Sequence, residues 1–462
     1  MDYSDFLRSK AIVDSPTGFQ VKDSELDPNL FPFQAALVKW SLARGRAALF
    51  EGTGLGKTIQ QLDWADKVVR HTNGSVLLLA PLAVAEQTRA EGEKFGIESR
   101  VVASQADVRN GINITNYEKL HKFDPSFFDG VVLDESSILK SFSGAVRNQI
   151  ISAFKNTKYR LSCTATPAPN DYTELGNQSE FLSILTHSEM RSKFFVNDTK
   201  DTGAPWRLKG HVQGNVFWRW LASWGAVVNM PSDLGFDDAG YVLPPLTYHE
   251  HIIKAGKGAK RNGFFLEEVG DQNSRRRVRK ESIGPRCEAA AELINGDPED
   301  WLVWCGLNDE GLLLTKLIDG AVEVAGRHVD EHRAEAISGF VNGSLHRLVT
   351  KPDIAGWGLN LQRCHKAAFV GLNDSWESMF QAVRRIWRFG QTEPCEVHIF
   401  VEEREGPVLQ NIKRKDEQAR QMAEAMSLQM KDLVRREVSK AAKESDDYNP
   451  QQRMRILRWL KA

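Results

Sequence analysis

The segment Glu51–Thr58 places glycines, a lysine and a hydroxyl residue at a spacing that suits phosphate binding. It stands between an apolar run, 47–50, and a helical pattern, 59–70. Glycines let the backbone N–H groups of a strand-to-helix turn approach an anion closely. Lys57 would supply a cation to the β- and γ-phosphates, and Thr58 a hydroxyl to Mg²⁺. The residues predicted to contact a nucleotide here are Gly52, Thr53, Gly54, Leu55, Gly56, Lys57 and Thr58. The alternative is a Gly-rich turn with an exposed lysine, because Glu51 stands where the strict P-loop pattern has glycine.

Two adjacent acids, Asp134 and Glu135, follow the apolar run 130–133. Ligands bind at the carboxyl ends of strands in parallel sheets, so both acids are placed to face a ligand. Asp134 could hold Mg²⁺, and Glu135 could polarise the attacking water as the catalytic base. A solvated strand end is the alternative for such a pair alone. With Lys57 in the same sheet, the pair predicts a site for ATP and Mg²⁺.

Short apolar runs alternating with helical patterns must position these residues. Such runs, bounded by Gly, Asp or Pro, are typical of strands buried on both faces of a parallel sheet. The predicted strands are 47–50, 75–80, 130–133 and 159–162, and then 301–305, 322–324, 348–350, 367–370 and 397–401. The sequence therefore predicts an α/β protein with two lobes.

The remaining stretches differ in composition. Residues 1–30 form a polar N-terminal arm, 31–253 the first lobe with a helical insertion at about 180–240, and 254–286 a mobile basic linker with a net charge of +6. The second lobe is predicted at 287–405 and a charged helical tail at 406–462.

Composition limits the function classes. The chain has 462 residues, with 60 Lys and Arg against 61 Asp and Glu, and this balance excludes a globally basic nucleic-acid coat. The longest apolar run, Val76–Ala85, is half the length that crosses a bilayer, and residues 1–5 lack signal-peptide character. The 5 cysteines form no C-x-x-C pair. We expect a cytoplasmic protein without a disulfide framework, zinc site or membrane contact.

Eight short segments follow one another along the chain in a recognisable order. They are 30–34 (Leu-Phe-Pro-Phe-Gln), 51–58, 79–81 (Leu-Ala-Pro), 114–118 (Ile-Thr-Asn-Tyr-Glu), 134–137 (Asp-Glu-Ser-Ser), 162–167 (Ser-Cys-Thr-Ala-Thr-Pro), 355–361 (Ala-Gly-Trp-Gly-Leu-Asn-Leu) and 381–391 (Gln-Ala-Val-Arg-Arg-Ile-Trp-Arg-Phe-Gly-Gln). This series resembles the motifs of superfamily-2 helicase-type ATPases, and within them the Swi/Snf-type branch, over about residues 28–400.

The resemblance implies two RecA-like P-loop lobes with ATP and Mg²⁺ between them. Gln34 would contact the adenine, Gly358 would contact the nucleotide from the second lobe, and Arg385 and Arg388 would cross the cleft to the γ-phosphate. Ser137 departs from the family's Asp-Glu-Ala-His or Asp-Glu-Ala-Asp, and would alter coupling to the segment 162–167. The resemblance is to compact bacterial or bacteriophage members, which implies a bacterial or phage-infected cell.

The predicted function is ATP-dependent translocation of a monomer along DNA, through backbone contacts of little sequence specificity. The resemblance favours duplex DNA. Strand separation or fork remodelling is a rival outcome of the same motor. The alternative from another class is an ATP-gated nucleic-acid clamp or recruitment module with little motor activity.

Several other features have two interpretations. Trp206, Trp218, Trp220 and Trp224 could stack on bases, but their helical spacing favours a packed core. The basic run 275–280 could contact phosphates or form a solvated loop. Cys163 is predicted to be a small core residue, and the Met422, Met426 and Met430 stripe a packing face. The interleaved basic and apolar residues at 453–461 suit either DNA or a partner protein.

Overall fold

Two parallel sheets, each covered by helices, form the two lobes of the computed structural model. The structure describes residues 16–81, 84–140, 144–168, 171–197, 206–210, 216–254, 261–262, 265–266, 272–355, 360–372 and 375–442. The predicted fold class is confirmed. The two-lobed α/β architecture with its long C-terminal helix is that of a RecA-like core.

The first lobe is built on a seven-stranded sheet whose strands are all parallel. Its strands are β1 (Arg46–Glu51), β2 (Ser75–Ala80), β3 (Ser99–Val101), β4 (Gly111–Asn116), β5 (Gly130–Asp134), β6 (Tyr159–Thr164) and β9 (Gly225–Val228), in the order β3-β4-β2-β5-β6-β1-β9. The central strands are buried on both faces, as their continuous apolar runs require. All four strands predicted here from apolar runs are confirmed.

The helices of the first lobe cover both faces of this sheet. They are α1 (Pro32–Arg44), α2 (Lys57–Thr72), α3 (Ala85–Lys94), α4 (Ala145–Ala153), α5 (Leu175–Phe181), α6 (His187–Phe194) and α7 (Val216–Ala222). A short antiparallel pair, β7 (Phe195–Asn197) and β8 (Trp206–Leu208), joins α6 to the residues before α7.

The aromatic residues around α7 form a packed core. Trp218 and Trp224 are buried, and Phe217 packs edge-on to Phe194 and Phe195. This confirms the packing interpretation of these two tryptophans. Trp206 is half-buried, and the Arg191 guanidinium lies 4.1 Å from its ring centroid.

The second lobe is built on a six-stranded parallel sheet in the order β10-β17-β16-β13-β15-β14. These strands are β10 (Leu246–Ile253), β13 (Trp301–Cys305), β14 (Ala321–Val324), β15 (Arg347–Thr350), β16 (Lys366–Val370) and β17 (Cys395–Glu402), while β11 (Arg261–Asn262) and β12 (Phe265–Leu266) pair separately. Its helices are α8 (Gln272–Glu281), α9 (Ile283–Asn295), α10 (Asn308–Leu317), α11 (Asp330–Asn342), α12 (Pro352–Ala355) and α13 (Trp376–Val383).

Two boundary predictions need correction. The first lobe was predicted to run to residue 253, but β10 pairs along its whole length with β17 of the second sheet. The basic run 275–280 is not a loop, because it lies within α8, where Arg279 pairs with the buried Glu405.

A final helix, α14 (Gly406–Ala442), leaves the second lobe and packs on the first. Its beginning, at Val408, Leu409 and Ile412, belongs to the second lobe's core. Further on, Met426 and Met430 are buried against the first lobe, with Met422 partly buried beside them, so the predicted packing role of the methionine stripe is confirmed. The segment 453–461 lies outside the described residues. Among the helices that the structure describes, none combines the length and the apolarity needed to cross a membrane.

Candidate ATP site

The phosphate-binding turn joins β1 to α2 as predicted. Gly54 and Gly56 have φ angles of +92° and +76°, which L side chains rarely adopt. A Cβ at Gly56 would lie 2.3 Å from Gln34 Nε2, so the backbone fits only without a side chain. The turn therefore presents backbone N–H groups at the start of a helix, with space for an anion.

Lys57, the first residue of α2, points back into the turn. Its Nζ donates to the carbonyl oxygens of Glu51 and Gly52, at 3.0 and 3.1 Å. The next residue, Thr58, is half-buried in the first turn of the same helix. This arrangement places a cation and a hydroxyl within the phosphate-binding turn.

Gln34 lies at the start of α1 and contacts the turn directly. Its Nε2 donates to the carbonyl of Leu55 at 2.8 Å, and its Oε1 accepts from the backbone N–H of Phe31 at 2.9 Å. Gln34 is buried. The side chain thus connects α1 to the phosphate-binding turn, which is a contact that the sequence did not indicate.

Glu51 ends β1 in a fully buried position. Burial raises the pKa of its carboxyl to about 7, although Lys57 and a hydrogen bond from Gln60 act in the opposite direction. Gln60 Nε2 lies 3.0 Å from Glu51 Oε1. Burial therefore favours the protonated form of Glu51.

Asp134 ends β5, beside the phosphate-binding turn. Gln61 Nε2 donates to Asp134 Oδ1 at 2.9 Å, and Tyr117 donates its hydroxyl to the Asp134 carbonyl at 2.7 Å. Burial raises the pKa of the Asp134 carboxyl, while Gln61, Lys57 and Arg385 favour its ionised form. Gln61 and Tyr117 were not among the predicted site residues.

Glu135 has a φ of +57°, a left-handed conformation that is unusual for a residue other than glycine. Its Oε1 accepts from Thr164 Oγ1 at 2.6 Å and from Ser137 Oγ at 2.9 Å. Burial raises the pKa of its carboxyl, which both hydroxyls and Lys57 oppose. Strained backbone of this kind persists where the surroundings over-determine it, which is typical of functional sites.

Ser137 also connects the first lobe to the second. Its Oγ lies 3.2 Å from Glu377 Oε1 of α13, and Lys140 pairs with the other Glu377 oxygen. The serine that departs from the family pattern therefore lies between the predicted base, Glu135, and an acid of the second lobe.

Arg385 and Arg388 face the first lobe from the segment after α13. Burial lowers the pKa of Arg385 to about 9, while attraction to Glu135 and Asp134 raises it. Gln381 orients Arg385, with its carbonyl 3.0 Å from Arg385 Nε. Arg388 is half-buried and is attracted to Glu91 of α3, which opposes the lowering of its pKa by burial.

The unusual residues of the same segment have structural partners. The Arg384 guanidinium stacks on the rings of Phe380 and Trp387, at 4.9 and 4.3 Å from their centroids. Trp387 Nε1 donates to the Pro244 carbonyl at 2.7 Å, just before β10. These residues therefore attach the arginine segment to the strand that enters the second lobe.

A separate cavity of 760 Å³ lies between the lobes and α14. Tyr241, Phe389 and Met422 are among its mostly apolar lining residues, and it touches the phosphate-binding turn at Gly52–Leu55. Lys57 and the two acids do not line it, so the charged site lies elsewhere.

The structure brings most of the predicted site residues together. One edge of the first sheet carries Gln34, Lys57, Thr58, Asp134 and Glu135. Arg385 of the second lobe is attracted to the two acids of this group. Gly358 lies outside the described residues. Cys163 is buried and its pKa is raised well above the usual value, as expected of a core thiol.

The site thus combines a P-loop turn after β1, an acid pair at the end of β5 and a second α/β lobe whose Arg385 is attracted to that pair, an arrangement that resembles helicase-type ATPases of superfamily 2. No family model matches the chain. It is 31% identical over 168 residues to the SWI/SNF-related matrix-associated actin-dependent regulator of chromatin subfamily A-like protein 1 of Xenopus tropicalis, covering 34% of this chain and 18% of that protein. It is 26% identical over 228 residues to Protein CHROMATIN REMODELING 19 of Arabidopsis thaliana, covering 41% of this chain and 30% of that protein.

A solved structure of the Sulfolobus solfataricus SWI2/SNF2 ATPase core in complex with dsDNA gives a TM-score of 0.41 at 18% identity, covering 90% of this chain and 99% of that one. The chain spans between 18% and 30% of the length of the two curated relatives named above. These sequence similarities are to SWI/SNF-related proteins, the branch that the ordered motifs resemble.

Proposed function

We propose that this chain hydrolyses ATP with Mg²⁺ and uses the energy to move along duplex DNA. The single observation that supports this most is an electrostatic attraction across the cleft. Arg385 of the second lobe is attracted to Asp134 and Glu135, the acid pair of the first lobe. A site completed by both lobes can couple hydrolysis to their relative movement.

The first lobe would bind the nucleotide in its ground state. The backbone N–H groups of the phosphate-binding turn and Lys57 Nζ offer donors and a positive charge to the phosphates. Lys57 Nζ donates to two carbonyl oxygens of the turn, so the cation already lies within the turn that would bind the phosphates.

The donors present also fit Mg²⁺. The ion prefers hard oxygen ligands, and Thr58 offers a hydroxyl while Asp134 offers a carboxylate that Gln61 orients. When bound, Mg²⁺ neutralises charge on the β- and γ-phosphates.

Glu135 would accept a proton from the attacking water. Burial raises the pKa of its carboxyl above the usual value, which makes it a stronger base near neutral pH. Thr164 and Ser137 hold one of its oxygens, so Oε1 is fixed in position. Arg385 and Arg388 would stabilise charge that develops on the γ-phosphate, a contribution of about 10³–10⁵-fold in comparable enzymes.

An ATPase assay over single-stranded DNA, duplex DNA, forked DNA and RNA tests the proposal, with Glu135→Gln as the hydrolysis-deficient control. We expect duplex DNA to stimulate the wild-type protein most, and stimulation to fall steeply with salt as phosphate contacts are lost. ATP-dependent DNA binding without turnover on any nucleic acid would instead favour the clamp.

A further inference from the structure

Two neighbouring strands at the edge of the second sheet carry an unusual set of side chains. β10 contributes His249 and His251, and β17 contributes Glu396 and His398. His249 lies directly opposite His398 in the parallel register. Because side chains alternate along a strand, residues two apart share a face, so these four residues lie on one side of the sheet.

Three of these residues converge on one point. One ligand atom each from His249, Glu396 and His398 lie within 4.8 Å of one another. His398 Nε2 lies 3.4 Å from Glu396 Oε2. Tetrahedral zinc holds N and O ligands at about 2.0–2.2 Å, which places two ligand atoms about 3.3 Å apart. The observed separation therefore suits an ion between them.

His251 supplies the supporting contact that such a site requires. Its Nε2 lies 3.0 Å from His398 Nδ1, the ring nitrogen directed away from Glu396. Metal-bound histidines almost always use their second ring nitrogen in a hydrogen bond, which fixes the tautomer. With a metal on Nε2, the Nδ1–H group of His398 would donate to His251.

Lys366, which pairs with Glu396 in register, forms an ion pair with Asp297 at 2.6 Å. That charge is therefore compensated outside the cluster.

We propose that His249, Glu396 and His398 bind a divalent transition-metal ion of the zinc type. The ion would join the edge strand β10 to β17. Since β10 is the strand by which the chain enters the second lobe, the ion would fix this entry point of the lobe.

Zinc alone, titrated into the untagged full-length protein against a chromophoric chelator, tests the proposal. We expect the wild-type protein to bind one equivalent at this site, and His249→Ala and Glu396→Gln to weaken that binding at least about tenfold, as loss of a metal-supporting residue does elsewhere. His346→Ala is the control, because His346 is exposed and pairs with Asp300 away from the cluster.

Cobalt provides a second readout of geometry. The wild-type protein with Co²⁺ should show the visible absorption of a tetrahedral site, and His249→Ala should lose it. Zinc should raise the Tm of the wild-type and of His346→Ala but not of His249→Ala. Equal zinc affinity and equal Tm shifts in the wild-type and His249→Ala would overturn the proposal.

Discussion

The two lobes use the same strand–turn–helix arrangement in opposite ways. In the first lobe, β1 leads through a Gly-rich turn into α2, and Lys57 lies within that turn. In the second lobe, β13 leads into α10, and Glu310 Oε2 accepts from the N–H groups of Gly306 and Leu307, both at 2.8 Å. The second turn is thus filled by a carboxylate of its own chain.

Buried arginine completes the closed turn of the second lobe. Arg286 donates to Glu310 at 2.5 Å and to Glu405 at 3.0 Å, and all three residues are buried. A helix N-terminus attracts an anion in either lobe. In the second lobe a carboxylate of the chain satisfies this position. In the first lobe we propose that a phosphate fills it and that the second lobe contributes arginines to that site.

The largest expected effect concerns those arginines. Arg388→Ala should lower kcat by about 10³–10⁵-fold, because the guanidinium meets charge that develops only in the transition state. ATPase assays at saturating DNA measure this. Arg384→Gln is the matched control, since Arg384 stacks on Phe380 and Trp387. Normal turnover by Arg388→Ala would remove Arg388 from the chemistry.

Removing the buried arginine from the turn between β13 and α10 should lower the stability of the protein without changing nucleotide binding. Arg286→Met leaves the buried Glu310 carboxyl without its ion-pair partner and Glu405 with Arg279 alone, and should lower the free energy of unfolding by about 3–5 kcal/mol. Denaturant unfolding measures the loss, and nucleotide titration should give an unchanged Kd. A higher Kd for the nucleotide with unchanged stability would contradict the view that only the first lobe's turn binds the phosphates.

Glu51, at the start of the phosphate-binding turn, predicts that the stability of the protein depends on pH. Because the folded protein raises this pKa from 4.5 to about 7, it holds the proton more tightly than the unfolded chain does. Glu51 therefore makes the free energy of unfolding fall as pH rises from about 4.5 to about 7, by about 3 kcal/mol in total. Glu51→Gln should remove this contribution, so its stability relative to wild-type should be higher at pH 8 than at pH 5. A pH-independent difference would show that Glu51 has an ordinary pKa.

The smallest expected effect concerns Ser137, which contacts both Glu135 of its own lobe and Glu377 of the second lobe. Ser137→Ala removes one hydrogen bond to Glu135, worth about 1 kcal/mol, so kcat should fall by no more than about tenfold. Thr164 still holds the same oxygen. Ser136→Ala is the control, because the buried Ser136 hydroxyl has no partner among the residues that the structure describes. A loss beyond a hundredfold would make Ser137 a principal determinant of the Glu135 position.

Sequence patterns predicted the central strands because buried parallel strands are short, continuously apolar and bounded by turn residues. The same reasoning missed β10, since an edge strand with Thr247, His249 and His251 on one face lacks an apolar run. It also missed the contact of Ser137 with Glu377, because 240 residues separate the two in sequence and only the packing of the lobes brings them together. The site acids were predictable because they stand at the end of an apolar strand, and Lys57 because it starts the helix after the Gly-rich turn that follows β1.

The most direct test compares the equilibrium Kd for Mg²⁺-ATP of Lys57→Ala with that of Arg388→Ala. If the first lobe binds the ground state and the second acts on the transition state, Lys57→Ala should raise Kd by more than about tenfold, and Arg388→Ala should change it by less than about threefold. An Arg388→Ala protein that loses ATP affinity as severely as Lys57→Ala would contradict this account.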